Sequence, residues 1–245
     1  MRLAVFRSFG ALAALAVAGA NISSAATYAG IVLPFREVVV SSPVETTITE
    51  ITCKEGDYVK TGDVLAQLYN RIEDLDMQRT KAALEKREFD FKSAQNLFED
   101  QIISEDEAMK NRIELELARL QAEQAQEIFQ LRTIKAPING VVVEKIKEIG
   151  EAVTQTEPMF RLVDIDRVFV QIYVLVEEAS RLERGEALTV NCPVGNEMET
   201  FAGVVDFIDP RVDAASGLVR IKVVLDNPDH RIKPGLRAEV LAPDA

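Results

Sequence analysis

The sequence predicts a mainly β protein with a long α-helical hairpin: a split β module, interrupted by two antiparallel helices and followed by a small β-barrel. Three observations carry that reading. A half-motif occurs twice at a constant offset of 94 residues, from Ser42 to Leu65 and from Ala136 to Met159. A charged stretch between the copies, residues 70–132, contains neither Gly nor Pro. After the second copy, short β-rich runs alternate with Gly, Pro and Asn/Asp turns, which is the signature of a sandwich or barrel.

The N-terminal residues, 1–26, read as a cleaved signal peptide. Arg2 and Arg7 supply the positive start, and Phe9 to Ala20 is an apolar run too short to span a bilayer comfortably. Small residues follow, with cleavage expected after Ala25 or Ala26; an uncleaved anchor is the alternative. No Cys closely follows the apolar run, so no lipid anchor is expected. Residues 27–41 form an N-terminal β segment centred on Val38-Val39-Val40.

The first half-module covers residues 42–69 and the second 133–164. Pro43 matches Pro137, Ile48 matches Val142, Val59 matches Val153, Leu65 matches Met159 and Leu68 matches Leu162. These are apolar positions spaced among polar ones, as short strands packed on one side require. Gly56, Gly62, Gly140, Gly150 and, later, Gly235 are expected at structural turns, where a residue without Cβ accepts positive φ.

Between the halves, two helices are expected, from Arg71 to about Asp100 and from about Glu105 to Leu131. The first shows two heptad stripes, Leu68, Leu75, Ala82, Phe89 and Met77, Leu84, Phe91, Phe98. They mean either a second packing surface or one broad core face. On the second helix Ala108, Leu115, Ala122 and Phe129 form a stripe. Ser104 and Glu107 have capping-box spacing at its start, and Glu105, Asp106 and Glu107 suit the positive end of the helix dipole. The β-barrel is placed at 165–242, with strands over 168–176, 187–192, 200–208, 218–225 and 236–241, a helical turn over 178–183, and a tail at 243–245.

Composition excludes several function classes. The formal charge is −12, and −14 once Arg2 and Arg7 are removed, so nucleic acid is not an expected partner. Cys53 and Cys192 fall in separate modules and are read as small buried hydrophobes, and the single His230 lies in a polar turn. No zinc site, phosphate loop or catalytic triad can be assembled from these residues, and no enzyme activity or cofactor is expected.

The half-motifs resemble those of biotinyl/lipoyl carrier domains. The modifiable Lys expected at the hairpin tip between the halves is replaced here by the helical insertion, so the resemblance implies the fold without the cofactor. The order of modules resembles the periplasmic adaptor family, or membrane fusion proteins. The resemblance rests on G-D-Y-V-K-T-G-D-V-L from Gly56, I-K-A-P-I-N-G-V-V from Ile134 and G-E-A-V from Gly150. In the barrel it rests on V-D-A-A-S-G-L-V-R-I-K-V from Val212 and N-P-D-H-R-I-K-P-G-L from Asn227. It departs from the family at Thr46, which stands where the second copy has Gly140, and at Thr156-Glu157, which replaces a Gly-Asp turn.

The resemblance implies a periplasmic adaptor joining an inner-membrane transporter to an outer-membrane channel protein and forming part of a sealed export conduit. It also implies a homo-oligomer, a hexamer or trimer of dimers. A resistance-nodulation-division pump is the expected partner. An ABC-type exporter, or a secreted interaction protein using its coiled-coil arm, is the alternative. Family members that dock on channels carry an Arg–Leu–Ser pattern around the hairpin tip. Leu97 and Ser104 match it, Ser93 occupies the Arg position with Lys92 beside it, and Ile102 and Ile103 complete the expected partner-binding tip. The alternative makes Leu97 hairpin core and Ser104 only a helix cap. Because only Ala242 to Ala245 follow the last strand, a membrane-proximal domain built from both chain ends is expected to be absent or vestigial.

Overall fold

Two separate apolar cores organise the computed structural model, which describes residues 27–241. The expected signal peptide and C-terminal tail lie outside the described residues. In chain order the elements are β1 (Thr27–Ser41), β2 (Thr46–Ile51), β3 (Tyr58–Val59), β4 (Val64–Leu68), α1 (Arg71–Glu99) and α2 (Glu105–Gln130). They continue with β5 (Thr133–Lys135), β6 (Gly140–Lys145), β7 (Ala152–Val153), β8 (Pro158–Leu175) and α3 (Val176–Ala179). The last are β9 (Ala187–Val194), β10 (Glu197–Val212), β11 (Leu218–Asp226) and β12 (Arg237–Leu241).

The first core is a sandwich in which the repeated motif becomes a repeated structure. β2, β3 and the start of β4 lie 94 residues before β6, β7 and the start of β8. The halves exchange strands reciprocally. Tyr58 and Val59 pair with Val141 and Gly140, and Ala152 and Val153 pair with Thr47 and Thr46. Hydrogen bonds at the turns repeat as well: Gly56 N–H donates to Val142 O at 2.8 Å, and Gly150 N–H donates to Ile48 O at 2.9 Å. Asp57 accepts from Lys54 N–H at 2.8 Å where Glu151 accepts from Glu148 N–H at 3.0 Å. Of the matched positions, Pro43 and Pro137 are exposed, whereas Ile48, Leu65, Leu68, Val142, Val153, Met159 and Leu162 are buried almost completely. Each half alone would expose one face of its strands; the exchange buries both.

Gly56, Gly62, Gly150 and Gly235 adopt φ between 91° and 93°, a region that penalises any Cβ. Gly140 answers a different need. A Cβ there would lie 2.5 Å from the carbonyl oxygen of Val163, so only glycine lets β6 approach β8 this closely.

The second core fills a closed six-stranded barrel of order β1-β12-β9-β10-β11-β8, with β8 returning to β1. Alternate residues face inward, as in Val168, Val170, Ile172 and Val174 of β8 and Val219, Ile221, Val223 and Leu225 of β11. Closure leaves the barrel no free sheet edge. Here the structure refines the sequence reading. The segment 27–41 is not separate: β1 pairs with both β12 and β8. The 164/165 boundary is crossed by β8 without interruption, so one strand belongs to both cores. The helical turn expected over 178–183 lies earlier, at Val176–Ala179.

Cys53 lies in the sandwich core and Cys192 in the barrel core, both free. Burial raises both thiols above their ordinary range, Cys192 to about 11, which keeps them protonated and unreactive.

Candidate docking surface at the tip of the helix pair

The chain leaves the sandwich at Leu68 and returns at Thr133. Leu68 N–H donates to Arg132 O at 2.8 Å, and Thr133 Oγ1 donates to Gln67 Oε1 at 3.1 Å, closing the base of the insertion. The Arg132 guanidinium pairs with Glu73, both largely buried, which ties the first turn of α1 to the end of α2. Farther out, Arg87 pairs with Glu114 at 2.7 Å. Those two links fix α2 alongside α1 in the opposite direction.

Between the helices the least exposed positions follow a three-four spacing: Met77, Thr80, Leu84, Arg87, Phe91 and Ala94 on α1, and Ala108, Asn111, Leu115, Ala118, Ala122, Ala125 and Phe129 on α2. Thr80, Ala94, Ala118 and Ala125 are the buried ones, and their small size permits close approach of the two axes. Of the two stripes on α1, the one through Met77, Leu84 and Phe91 therefore faces α2. Leu75 and Phe89 of the other are exposed, Phe89 by 71%. On α2, Ile113, Leu117 and Leu120 are likewise exposed.

At the far end α1 closes in a Schellman motif. Ile102 N–H donates to Leu97 O at 2.8 Å and Gln101 N–H to Phe98 O at 2.9 Å, with Gln101 in the left-handed region at φ 59°. Glycine usually takes that position; glutamine holds it at a cost of about 1 kcal/mol. The next helix begins at once, because the Ser104 hydroxyl accepts from Glu107 N–H at 3.3 Å with Ser104 in extended backbone.

The turn brings Leu97, Ile102, Ile103 and Ser104 to one place. Leu97, Ile102 and Ser104 are exposed, Ile102 by 66%, while Ile103 is half-buried. Ser104 caps its helix and still faces solvent. Phe98 and Met109, which the sequence reading did not select, are exposed beside them and extend the apolar surface. Phe91, Phe98, Ala108 and Met109 line a shallow groove of about 160 Å³ next to the tip. Heptad position alone marked Phe98 as a seam residue, because the sequence does not show where the seam stops. Lys92 is exposed, whereas Ser93 is half-buried and donates its hydroxyl to Phe89 O at 3.0 Å. The position of the Arg in the tip pattern thus holds a half-buried serine, with the exposed Lys92 beside it in sequence. Five carboxylates, Glu99, Asp100, Glu105, Asp106 and Glu107, flank the apolar tip residues in sequence.

This architecture has counterparts among known proteins. Residues 36–164 match the family described as CzcB-like, barrel-sandwich hybrid domain, and residues 167–244 match the CusB-like, beta-barrel domain. The cobalt-zinc-cadmium resistance protein CzcB of Cupriavidus metallidurans is 24% identical over 77% of this chain and 39% of its own length. The efflux pump periplasmic linker BepD of Brucella suis is 23% identical over 87% of this chain and 62% of its own length. The chain thus spans between about two fifths and three fifths of these curated relatives. Among solved structures, a MacA-MexA chimeric protein containing the Pseudomonas aeruginosa MexA alpha-hairpin domain shares the fold. Its TM-score is 0.77 at 20% identity, over 91% of this chain and 80% of that one. A putative efflux transporter from Bacteroides eggerthii superposes with a TM-score of 0.71 at 20% identity, over 89% of this chain and 69% of that one. With the first match covering more than half of the sequence and the second following it directly, the chain belongs to the membrane fusion proteins, the adaptor family built from a CzcB-like barrel-sandwich hybrid and a CusB-like β-barrel.

Proposed function

We propose that the protein is a periplasmic adaptor that joins an inner-membrane efflux transporter, of the resistance-nodulation-division type, to an outer-membrane channel. The observation that carries this reading is the helix pair. It is inserted between the halves of a sandwich and ends in an exposed apolar turn that the fold itself does not need. The names of relatives support it: one is an efflux pump periplasmic linker and another a cation resistance protein. In this reading the chain divides at residues 42, 70, 133 and 165, and α1 and α2 act as an antiparallel coiled-coil hairpin roughly 40 Å long at 1.5 Å per residue. Leu97, Ile102, Ile103 and Ser104 meet the channel. The exposed stripes through Leu75 and Phe89 and through Ile113, Leu117 and Leu120 meet neighbouring copies in a hexamer or trimer of dimers. Such a scaffold transmits and seals; the energy enters from the transporter.

The test is in-cell crosslinking of a tagged chain, recovery from membranes and mass spectrometry. Recovery of a large inner-membrane pump of the expected type supports the adaptor reading; an ABC-type exporter instead would replace the energy source. Recovery of the chain alone would overturn the reading. Leu97→Asp and Ser104→Asp divide the question further: both should abolish efflux and leave the circular dichroism melt unchanged if the tip docks.

A further inference from the structure

The two cores share a ribbon, β1 with β8, whose register breaks twice, between Val40 and Ser41 at the sandwich end and between Pro34 and Arg36 where the cores meet. Pro34 pairs with Val168 and Arg36 with Asp164, which leaves Phe35 on one strand and Ile165, Asp166 and Arg167 on the other outside the ladder. A bulge of this kind bends and twists a ribbon locally. It falls where the chain passes from sandwich to barrel, so it is the natural hinge between them.

A cluster spans that hinge. Tyr58, on the sandwich strand β3, donates its hydroxyl to both oxygens of Asp166, at 2.7 and 2.9 Å. His230, in the barrel turn between β11 and β12, places Nε2 2.8 Å from Asp166 Oδ1. The rings of Tyr58 and His230 stack with centroids 5.3 Å apart. The turn that carries His230 is itself fixed: the buried Asn227 side chain donates to Ile165 O and Ile232 O, both at 2.9 Å, and accepts from Ile232 N–H at 3.0 Å. His230 is held at φ 53°, a left-handed conformation that costs a non-glycine residue about 1–2 kcal/mol. A strained backbone of this kind persists where surrounding contacts over-determine it.

We propose that Tyr58, Asp166 and His230 form a clasp that sets the angle between sandwich and barrel, and that it tightens when His230 takes up a proton. The Tyr58 phenol, pushed up to about 12 chiefly by its bond to Asp166, stays protonated and remains the donor. The Asp166 carboxyl is held below its ordinary range, first by the Tyr58 hydroxyl and then by His230, so it stays ionised in mild acid. An imidazole exchanges its proton in the physiological range. A proton on the His230 ring would add a positive charge opposite the Asp166 carboxylate, turning a hydrogen bond from a neutral donor into one between opposite charges. Other charges face the site. Lys233 and Glu37 line a junction cavity of about 520 Å³ together with His230. Glu37 is engaged by Arg161 at 2.8 Å. Arg167 lies near Asp166, and on the turn itself Asp229 and Arg231 flank His230, with Arg231 paired to Glu199. The His230 and Asp166 side chains are both solvent-accessible, so protons can exchange there.

The test uses the purified chain with spin labels on cysteines introduced at the exposed Lys60 and Glu197, and pulsed electron paramagnetic resonance distances recorded from about pH 8 to about pH 5. The distance distribution should narrow on acidification. His230→Asn, which tolerates the left-handed turn, should keep the melt and lose the pH response. Tyr58→Phe, nearly isosteric, should broaden the distribution at every pH. A wild-type width that does not change with pH, or a His230→Asn protein that responds like wild type, would overturn the proposal.

Discussion

The two halves of the sandwich repeat the same turn hydrogen bonds and the same matched buried residues, yet they lead to different structures. β4 stops at Leu68 and gives way to the helix pair; its counterpart β8 continues to Leu175 and becomes a barrel stave. Within the strands of the two halves, one difference is steric. Gly140 approaches the Val163 backbone, whereas Thr46, its equivalent, begins β2 opposite Val153 with an ordinary side chain. The comparison teaches that a symmetric core can support asymmetric extensions, provided the asymmetry enters after the last buried residue of each half.

The sharpest way to break the equivalence is at that one site. Gly140→Val should destabilise the protein by about 4 kcal/mol, because the new Cβ meets a backbone oxygen that cannot move without displacing β8. Thr46→Val should change stability by no more than about 0.5 kcal/mol. Urea unfolding followed by circular dichroism reads both, and equal losses would mean that the close approach is not what selects glycine. Next come Leu68→Ala and Leu162→Ala, matched and fully buried, each expected to cost about 3 kcal/mol in the same measurement. A much smaller loss at Leu68 would show that the first half tolerates a cavity because its strand ends there. Smaller again are the turn carboxylates: Asp57→Ala and Glu151→Ala each remove one acceptor from a backbone N–H and should each lower stability by about 1 kcal/mol. The smallest change lies in the insertion, where Gln101→Gly should raise the melting temperature slightly, a gain of about 0.5 kcal/mol, by relieving the left-handed glutamine.

Most of the sandwich was legible because its information is local and repeated. The paired apolar residues, the Gly-Asp and Gly-Glu turns and the capping Ser104 each signal their conformation within a few positions. What escaped the sequence was partnership. Val38 to Val40 announce a strand but not that β1 runs on to close the barrel against β12 and β8. The Asp164-Ile165-Asp166 stretch looks like a boundary, yet β8 passes through it. Heptad spacing placed Leu75 and Phe89 on one face of α1 without showing that this face points to solvent. At the tip, Leu97 and Ser104 were singled out by the resemblance to the adaptor family, while the exposure of Phe98 and Met109 depended on where the helices separate. Tyr58 and His230 lie 108 and 64 residues from Asp166, so no local pattern could have joined them.

Thr27 lies opposite Leu241 in the pairing of β1 with β12. The described chain therefore enters and leaves through the same doorway, on the wall of the barrel, with the sandwich and the helices strung between as one closed loop. A short linker across that doorway, with new termini cut at residues 101–103, would yield a circular permutant retaining every strand pairing described above. A reporter or affinity handle attached after Leu241 would sit beside the entering strand rather than at the helix turn, leaving the apolar tip free to be assayed in the intact molecule.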